Sequence, residues 1–281
     1  MKNEYIGIDA GGTLSKIVYT INGKCHYKKM STADIASLNT WMKQSFKQPD
    51  IHITGGKAGA FLHESEFINA RRINEFEATC EGVKWLLENN SLLKDTGPNF
   101  MVTNVGTGTS IHYIKGNSYE RIGGSGMGGG TLLGLSYLLT GEDDYDTILK
   151  LGNNGNGRLL NLTVSDIYSH EKPPISGDLT ASNFGNLMQM KQEKLSKEDY
   201  ISSVVRMIGE TITTMSVQAA ERLNTDSIVY IGSTFARHDV LKNIISGYTE
   251  LRGKKAYFIE HGEYSGAIGA ILNTGLQKTV Q

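Results

Sequence analysis

Two stretches of the chain follow one pattern, and that repetition limits the fold more than any other feature. "IGIDAGGTLSKIVYTINGK" (6–24) is an apolar run, a glycine-threonine turn, a second extended run and Asn22-Gly23. "FMVTNVGTGTSIHYIKGNSYERIGG" (100–124) is again strand, Gly/Thr turn, strand, Gly-Asn turn and strand. Asn-Gly tolerates positive φ at both positions and is a strong hairpin signal. The first stretch therefore predicts an antiparallel meander with strands over 5–9, 14–21 and 24–29. Superposing Gly11-Gly12-Thr13 on Thr107-Gly108-Thr109 brings the two stretches into the same order, and a recurring supersecondary unit points to duplication.

Helical and strand signals alternate around these meanders. Ile35, Leu38, Met42 and Phe46 line one face of a predicted helix, and "DIHITGG" reads as a short strand. A second helix is expected over 74–88 with Asn74 as its N-cap, before a break at "DTGP". "RIGGSGMGGGTLLGLSYLL" runs from glycines into an apolar helix. Ser196 and Asp199 resemble a capping box for a long helix carrying Ile201, Val204, Val205, Ile208, Ile212 and Met215. "DSIVYIGSTFARHDVLKNII" predicts strand, Gly-Ser turn and helix, and "EYSGAIGAIL" closes with a helix of small residues. The class is α/β.

Composition narrows the function. The chain has 281 residues, enough for one large domain or two modest ones, and a net charge of -1. That balance argues against a nucleic-acid groove or an anionic membrane surface as the main partner. Glycine is over-used at 33 residues against 4 prolines, which suggests functional turns and not disorder. Cys25 and Cys80 have no metal-ligand spacing and read as reduced core residues. With neither a signal-peptide pattern nor an apolar run near the roughly 20 residues of a membrane helix, a cytoplasmic protein is expected.

Four turns share one character: Gly11-Gly12-Thr13, Gly106-Thr107-Gly108-Thr109, Gly128-Gly129-Gly130 and Gly232-Ser233. Glycine lets backbone N–H groups crowd an anion, and Thr or Ser adds a hydroxyl donor. The third and fourth turns also open predicted helices, whose N-termini favour anions. Together they suggest a polyphosphate cradle. It is not a P-loop, because no G-x-x-x-x-G-K-[ST] occurs, and the glycine run lacks the setting of a dinucleotide fingerprint. Asp9, beside the first turn, suits a Mg²⁺ ion bridging phosphates, or else an Asx-turn within its own loop. Lys16 is placed to reach phosphate or to stand solvated on its strand.

Phosphoryl transfer to an alcohol needs a group to accept the hydroxyl proton. In the 74–88 helix, Glu77, Glu81, Lys84 and Glu88 share one face, an ordinary solvated one. Glu75 stands apart, on the side of Thr79 and Gly82, and is the candidate base. Its alternative role is to complement the helix dipole, which is expected to lower its pKa.

These residues carry a family resemblance. "GIDAGGTLSKIV", "TGGKAGAF", "NEFEATCEG", "NVGTGTSIHY", "RIGGSGMGGGTLLGLSYLL", "PPISGDLTASNFG", "IVYIGSTF" and "EYSGAIGA" together resemble type II pantothenate kinases, in order over essentially the whole chain. The resemblance implies two ribonuclease-H-like lobes of the actin-like ATPase fold with a central nucleotide cleft. It puts an N-terminal lobe at 1–98 and a C-terminal lobe at 99–281, the latter with the adenosine site and a homodimer interface. It implies ATP- and Mg²⁺-dependent phosphorylation of pantothenate, the entry to coenzyme A synthesis. By motif, Glu75 is the catalytic base, while Asp9, Ala10, Gly11, Gly12, Thr13, Leu14, Ser15 and Lys16 line the phosphates, with Asp9 toward the metal. Thr107, Gly129, Gly130, Thr131, Leu132, Leu133, Tyr145 and Ser233 border the nucleotide, and Ser110 and Arg121 face pantothenate. A sugar or amino-sugar kinase of the same fold, and a non-catalytic ATP-binding regulator or chaperone module, are the alternatives.

Overall fold

The computed structural model describes residues 4–64, 70–189 and 195–273. β1 (Tyr5–Ala10), β2 (Leu14–Ile21) and β3 (Lys24–Ser31) form the first antiparallel meander. Asn22 and Gly23 turn its second hairpin with φ of 54° and 82°, the left-handed geometry that Asn-Gly accepts. α1 (Ile35–Ser45) starts where the Asp34 side chain accepts from the Ser37 amide, and leads to β4 (Asp50–Thr54), parallel to β1. α2 (Ala58–Glu64), β5 (Arg71–Arg72) and α3 (Glu75–Asn89) follow, giving a sheet ordered β3-β2-β1-β4-β5.

After the short α4 (Leu93–Thr96), the second meander is β6 (Asn99–Val105), β7 (Thr109–Lys115) and β8 (Ser118–Ser125). A larger excursion then holds α5 (Gly129–Thr140), α6 (Tyr145–Asn154), β9 (Leu162–Thr163), α7 (Val164–Ile167), β10 (Thr180–Ser182) and α8 (Lys197–Arg222). The capping box at Ser196 and Asp199 is formed, and α8 runs on it for 26 residues. β11 (Ser227–Ile231), α9 (Asp239–Leu251), β12 (Lys255–Phe258) and α10 (Ser265–Leu272) complete a sheet ordered β12-β11-β6-β7-β8.

The two sheets have one topology: an antiparallel meander, then two strands added parallel to its first. This matches the expected duplication but corrects its register by one residue. β1 ends at Ala10 where β6 ends at Val105, and β2 begins at Leu14 where β7 begins at Thr109. Gly11 therefore corresponds to Gly106, and Asp9 to Asn104.

Three apolar clusters define five layers. α1 and α2 cover the outer face of the first sheet through Leu38, Met42 and Phe61. α8 and α9 cover the outer face of the second through Ile201, Val205, Ile208, Leu241 and Ile245. Between the sheets lies a cluster that joins Tyr5 and Val18 to Phe100, Val102 and Val229 through α3 and α10. The last helix departs from a simple division at residue 98. α10 belongs to the second copy by order, yet packs on β1, β4 and α3, while α3 reaches toward β7 and β8.

The α3–α10 contact is close enough to exclude side chains. A Cβ on Gly82 would lie 1.9 Å from the Ser265 carbonyl oxygen, and one on Gly269 only 1.7 Å from that of Ala78. Neither gap closes without moving a helix backbone. Gly269→Ala is expected to cost about 1–3 kcal/mol, the usual range for overpacking a core. Chemical denaturation with native fluorescence as the readout checks this; an unchanged midpoint would refute it.

Candidate active site

The shared topology puts the β1–β2 turn and the β6–β7 turn face to face. Their threonines touch, Thr13 Oγ1 lying 3.2 Å from Thr107 Oγ1. That bridge separates two cavities of about 300 Å³ each, which have Thr13, Leu14, Gly106, Thr107 and Ser233 in common. The first is polar and opens onto Asp9, Gly11, Gly12, Lys16, Glu75, Asn104 and Ser110. The second is lined by Leu133, Tyr145, Gly129, Gly130, Asp143 and Thr234. A larger cavity of about 550 Å³ lies on the other side of Gly232, among Arg237, Lys242, Glu260 and His261, and Gly232 alone of the four turns' residues lines it.

Charge is concentrated in the first cavity. Asp9 and Lys16 are cross-strand neighbours with an ion pair of 3.6 Å, their side chains only 17% and 12% exposed. Lys16 is thus neither solvated nor remote, and Asp9 pairs with it and not with the amides of its own loop. Glu75 is the first residue of α3, where the Asn74 side chain accepts from the Phe76 and Glu77 amides. The helix dipole was expected to lower the Glu75 carboxyl, but the structure shows the reverse. Enclosure by the cleft, and secondarily the negative charge of Asp9, raise it above the usual range, with Lys16 opposing.

The third and fourth turns depart from the expected anion cradles. The Gly129 and Gly130 amides donate to the Gly106 and Thr107 carbonyls, and the Thr234 hydroxyl donates to Gly106 as well. These residues clasp the second turn and leave those two amides no freedom for a ligand. Gly232, at φ 117°, packs against Val105, where a Cβ would lie 2.2 Å from its carbonyl oxygen. Ser233 opens only a single 3₁₀ turn, and α9 begins at Asp239. The second cavity is therefore walled by Leu133 and by Tyr145, whose hydroxyl donates to the Thr234 carbonyl at 3.3 Å.

Several predicted residues lie outside both cavities. Ala10 is buried in the first sheet's core and Leu132 in the second's. Ser15 is buried against the Thr32 hydroxyl, and the Thr131 hydroxyl donates to the Gly126 carbonyl. Arg121 is exposed, its guanidinium 5.6 Å over the ring of Phe76, the residue that follows Glu75. Conversely, Asn104, Ser125, Asp143 and Thr234 line the cavities without having been singled out. Asn104 was legible, since the sequence "NVG" matches "DAG" once the repeat is set in the observed register.

Among the described residues, no cluster of three His, Cys, Asp or Glu could hold a metal by itself. Asp9 and Glu75 face one cavity, a donor set that fits a hard cation taking its remaining oxygens from a ligand and water.

Known proteins resemble this chain in sequence and in fold. The family model described as Fumble matches residues 20–273. The chain is 44% identical over 266 residues to the type II pantothenate kinase of Staphylococcus saprophyticus, covering 95% of this chain and 98% of that one. It is 42% identical over 277 residues to the type II pantothenate kinase of Bacillus cereus, covering 98% and 99%. Among solved structures, component A of the (R)-2-hydroxyglutaryl-CoA dehydratase of Acidaminococcus fermentans superposes with a TM-score of 0.63 at 14% identity, covering 97% of each chain. A ROK-family glucokinase from Streptomyces griseus, in complex with glucose and AMPPNP, superposes with a TM-score of 0.58 at 11% identity, covering 95% of this chain and 98% of that one. These last two share the actin-like ATPase and sugar-kinase fold.

A raised carboxyl has a consequence for stability. When the folded-state pKa lies above the unfolded one, the contribution is present at low pH and is lost as pH rises through the folded value. Ionisation of Glu75 thus opposes folding. In the ligand-free protein, Glu75→Gln is expected to melt above wild type near about pH 7.5 and level with it near about pH 3.5. A lower melting temperature for the variant at the higher pH would contradict the assigned shift.

Proposed function

This chain belongs to the Fumble family, and on that footing we propose that it transfers the γ-phosphoryl group of ATP to the primary hydroxyl of pantothenate, yielding 4'-phosphopantothenate and ADP. The observation that carries the reading is the meeting of Glu75 and the two Gly/Thr turns in one cavity, beside a second, less polar one. The product opens coenzyme A biosynthesis.

The nucleoside occupies the second cavity against Leu133 and Tyr145, and the triphosphate crosses the Thr13–Thr107 bridge into the first. There the amides of Gly12 and Thr13 meet its oxygens, with Thr107 from the facing turn, while the Gly11 amide holds the turn by donating to the Asp9 carbonyl. Donors fixed before the reaction stabilise spreading phosphoryl charge without reorganising. Asp9 would hold a Mg²⁺ ion accompanying ATP; such an ion neutralises charge on the phosphate oxygens. Lys16 adds a half-buried cation beside Asp9. Pantothenate enters at the open mouth, where Ser110 offers a hydroxyl and Arg121 a partner for its carboxylate. Glu75 accepts the hydroxyl proton as the oxygen attacks phosphorus. Its raised carboxyl makes it a stronger base than an ordinary glutamate.

We extend the reading to a cytoplasmic homodimer. No helix among the described residues is long and apolar enough to cross a membrane. Tyr137 and Leu138 of α5 are 58% and 78% exposed, an apolar pair suited to a second copy.

Glu75→Gln is expected to bind ATP as wild type does and to lose roughly 10²- to 10⁴-fold in kcat, the usual contribution of a positioned base. Steady-state turnover with pantothenate, alongside a panel of sugars, checks both the base and the substrate. Unimpaired turnover would place the base elsewhere, and phosphorylation of a sugar in preference to pantothenate would favour the sugar-kinase alternative.

A further inference from the structure

Ser110 and His112 alternate along β7 and so project from one face of the sheet. His112 is 1% exposed, and its Nε2 lies 3.0 Å from the Ser110 hydroxyl oxygen. Ser110 lines the polar cavity and His112 does not. The imidazole packs against Phe76, with ring centres 5.1 Å apart. Phe76 follows Glu75 in α3, and the Arg121 guanidinium stands over the same phenyl ring at 5.6 Å. His112 and Arg121 are also cross-strand neighbours. One aromatic contact therefore ties together the helix start with Glu75, the strand with Ser110 and the strand with Arg121. Burial, with Arg121 adding to it, holds the imidazole down to about 4, so the ring is neutral at physiological pH and has one donor and one acceptor nitrogen.

We propose that His112 is a positioning residue for the acceptor substrate: packed on Phe76, it fixes the Ser110 hydroxyl in the orientation that meets pantothenate. A serine hydroxyl is otherwise free to rotate among several directions. A bond to a buried ring narrows the choice: an unprotonated Nε2 accepts the hydroxyl proton and turns the oxygen lone pairs to the ligand, whereas an Nε2–H donates to the oxygen and leaves the hydroxyl proton for the ligand. The inference rests on the kinase reading, and it goes beyond it by assigning a buried residue that does not touch the ligand.

The test compares His112→Phe, which keeps a ring against Phe76 but deletes the nitrogen, with His112→Gln, which restores a polar group. Steady-state kinetics with pantothenate varied at saturating ATP supply the readout. His112→Phe is expected to raise KM for pantothenate about 3- to 10-fold, the worth of one hydrogen bond. The KM for ATP and the melting temperature should hold, and His112→Gln should recover part of the loss. Ser110→Ala should raise the same KM, and adding His112→Phe to it should add nothing, because His112 acts through Ser110. Should His112→Phe not fold, His112→Asn, whose amide falls short of Ser110, makes the same comparison. A wild-type KM in His112→Phe, or a full additional loss on top of Ser110→Ala, would overturn the assignment while leaving the kinase reading intact. A wild-type protein idle on pantothenate would overturn both.

Discussion

Two helix backbones touch at the centre of this molecule, and the cleft takes its geometry from that contact. Gly82 of α3 lies on Ser265 and Gly269 of α10 lies on Ala78, so each helix offers a glycine where the other presents a carbonyl. The pairing is reciprocal because the helices close equivalent halves of a repeated topology. Contact this close fixes position along the helix axes, which larger side chains would blur. Glu75 sits at the start of α3, and Gly266 of α10 leaves room for Asp9, whose Cγ would lie 3.1 Å from a Cβ at that position. Both carboxylates of the polar cavity thus take their places from one helix–helix interface.

Electrostatics follow from that placement. Asp9, Lys16 and Glu75 share a cavity of about 300 Å³, so two acids face a single base from partly enclosed positions. Lys16 is in contact with Asp9, and Glu75 is left with the raised carboxyl. A group held in its less comfortable charge state is a common feature of reactive sites. The adjoining cavity has no such cluster. Its glycines serve to clasp the second turn, so the division into a charged side and a less polar side is built by backbone hydrogen bonds.

Much of this was legible in the chain. Asn22-Gly23 and the alternating strands around it gave the meander because turn chemistry is local. Glu75 stood out because helical spacing separates it from Glu77, Glu81 and Glu88. What depends on distant contacts was not legible. The crossing of α10 to the first sheet leaves no local mark beyond its small residues. The direction of the Glu75 shift depends on enclosure and on Asp9, neither of which helix position reveals. The glutamate face read as solvated is partly covered, for Lys84 reaches Asn117 and Glu77 bonds Tyr119 across from the second meander. Matching the repeat on its threonines cost one residue of register and hid Asn104, whereas matching strand ends would have shown it.

A crystal structure with a non-hydrolysable ATP analogue bears most directly on the central idea that two facing turns grip one triphosphate. The account predicts the terminal phosphates between Gly11–Thr13 and Gly106–Thr107, with the contact between Thr13 and Thr107 parted by the ligand. A triphosphate seated instead in the larger cavity by Arg237 and Lys242, with both turns bare, would contradict it.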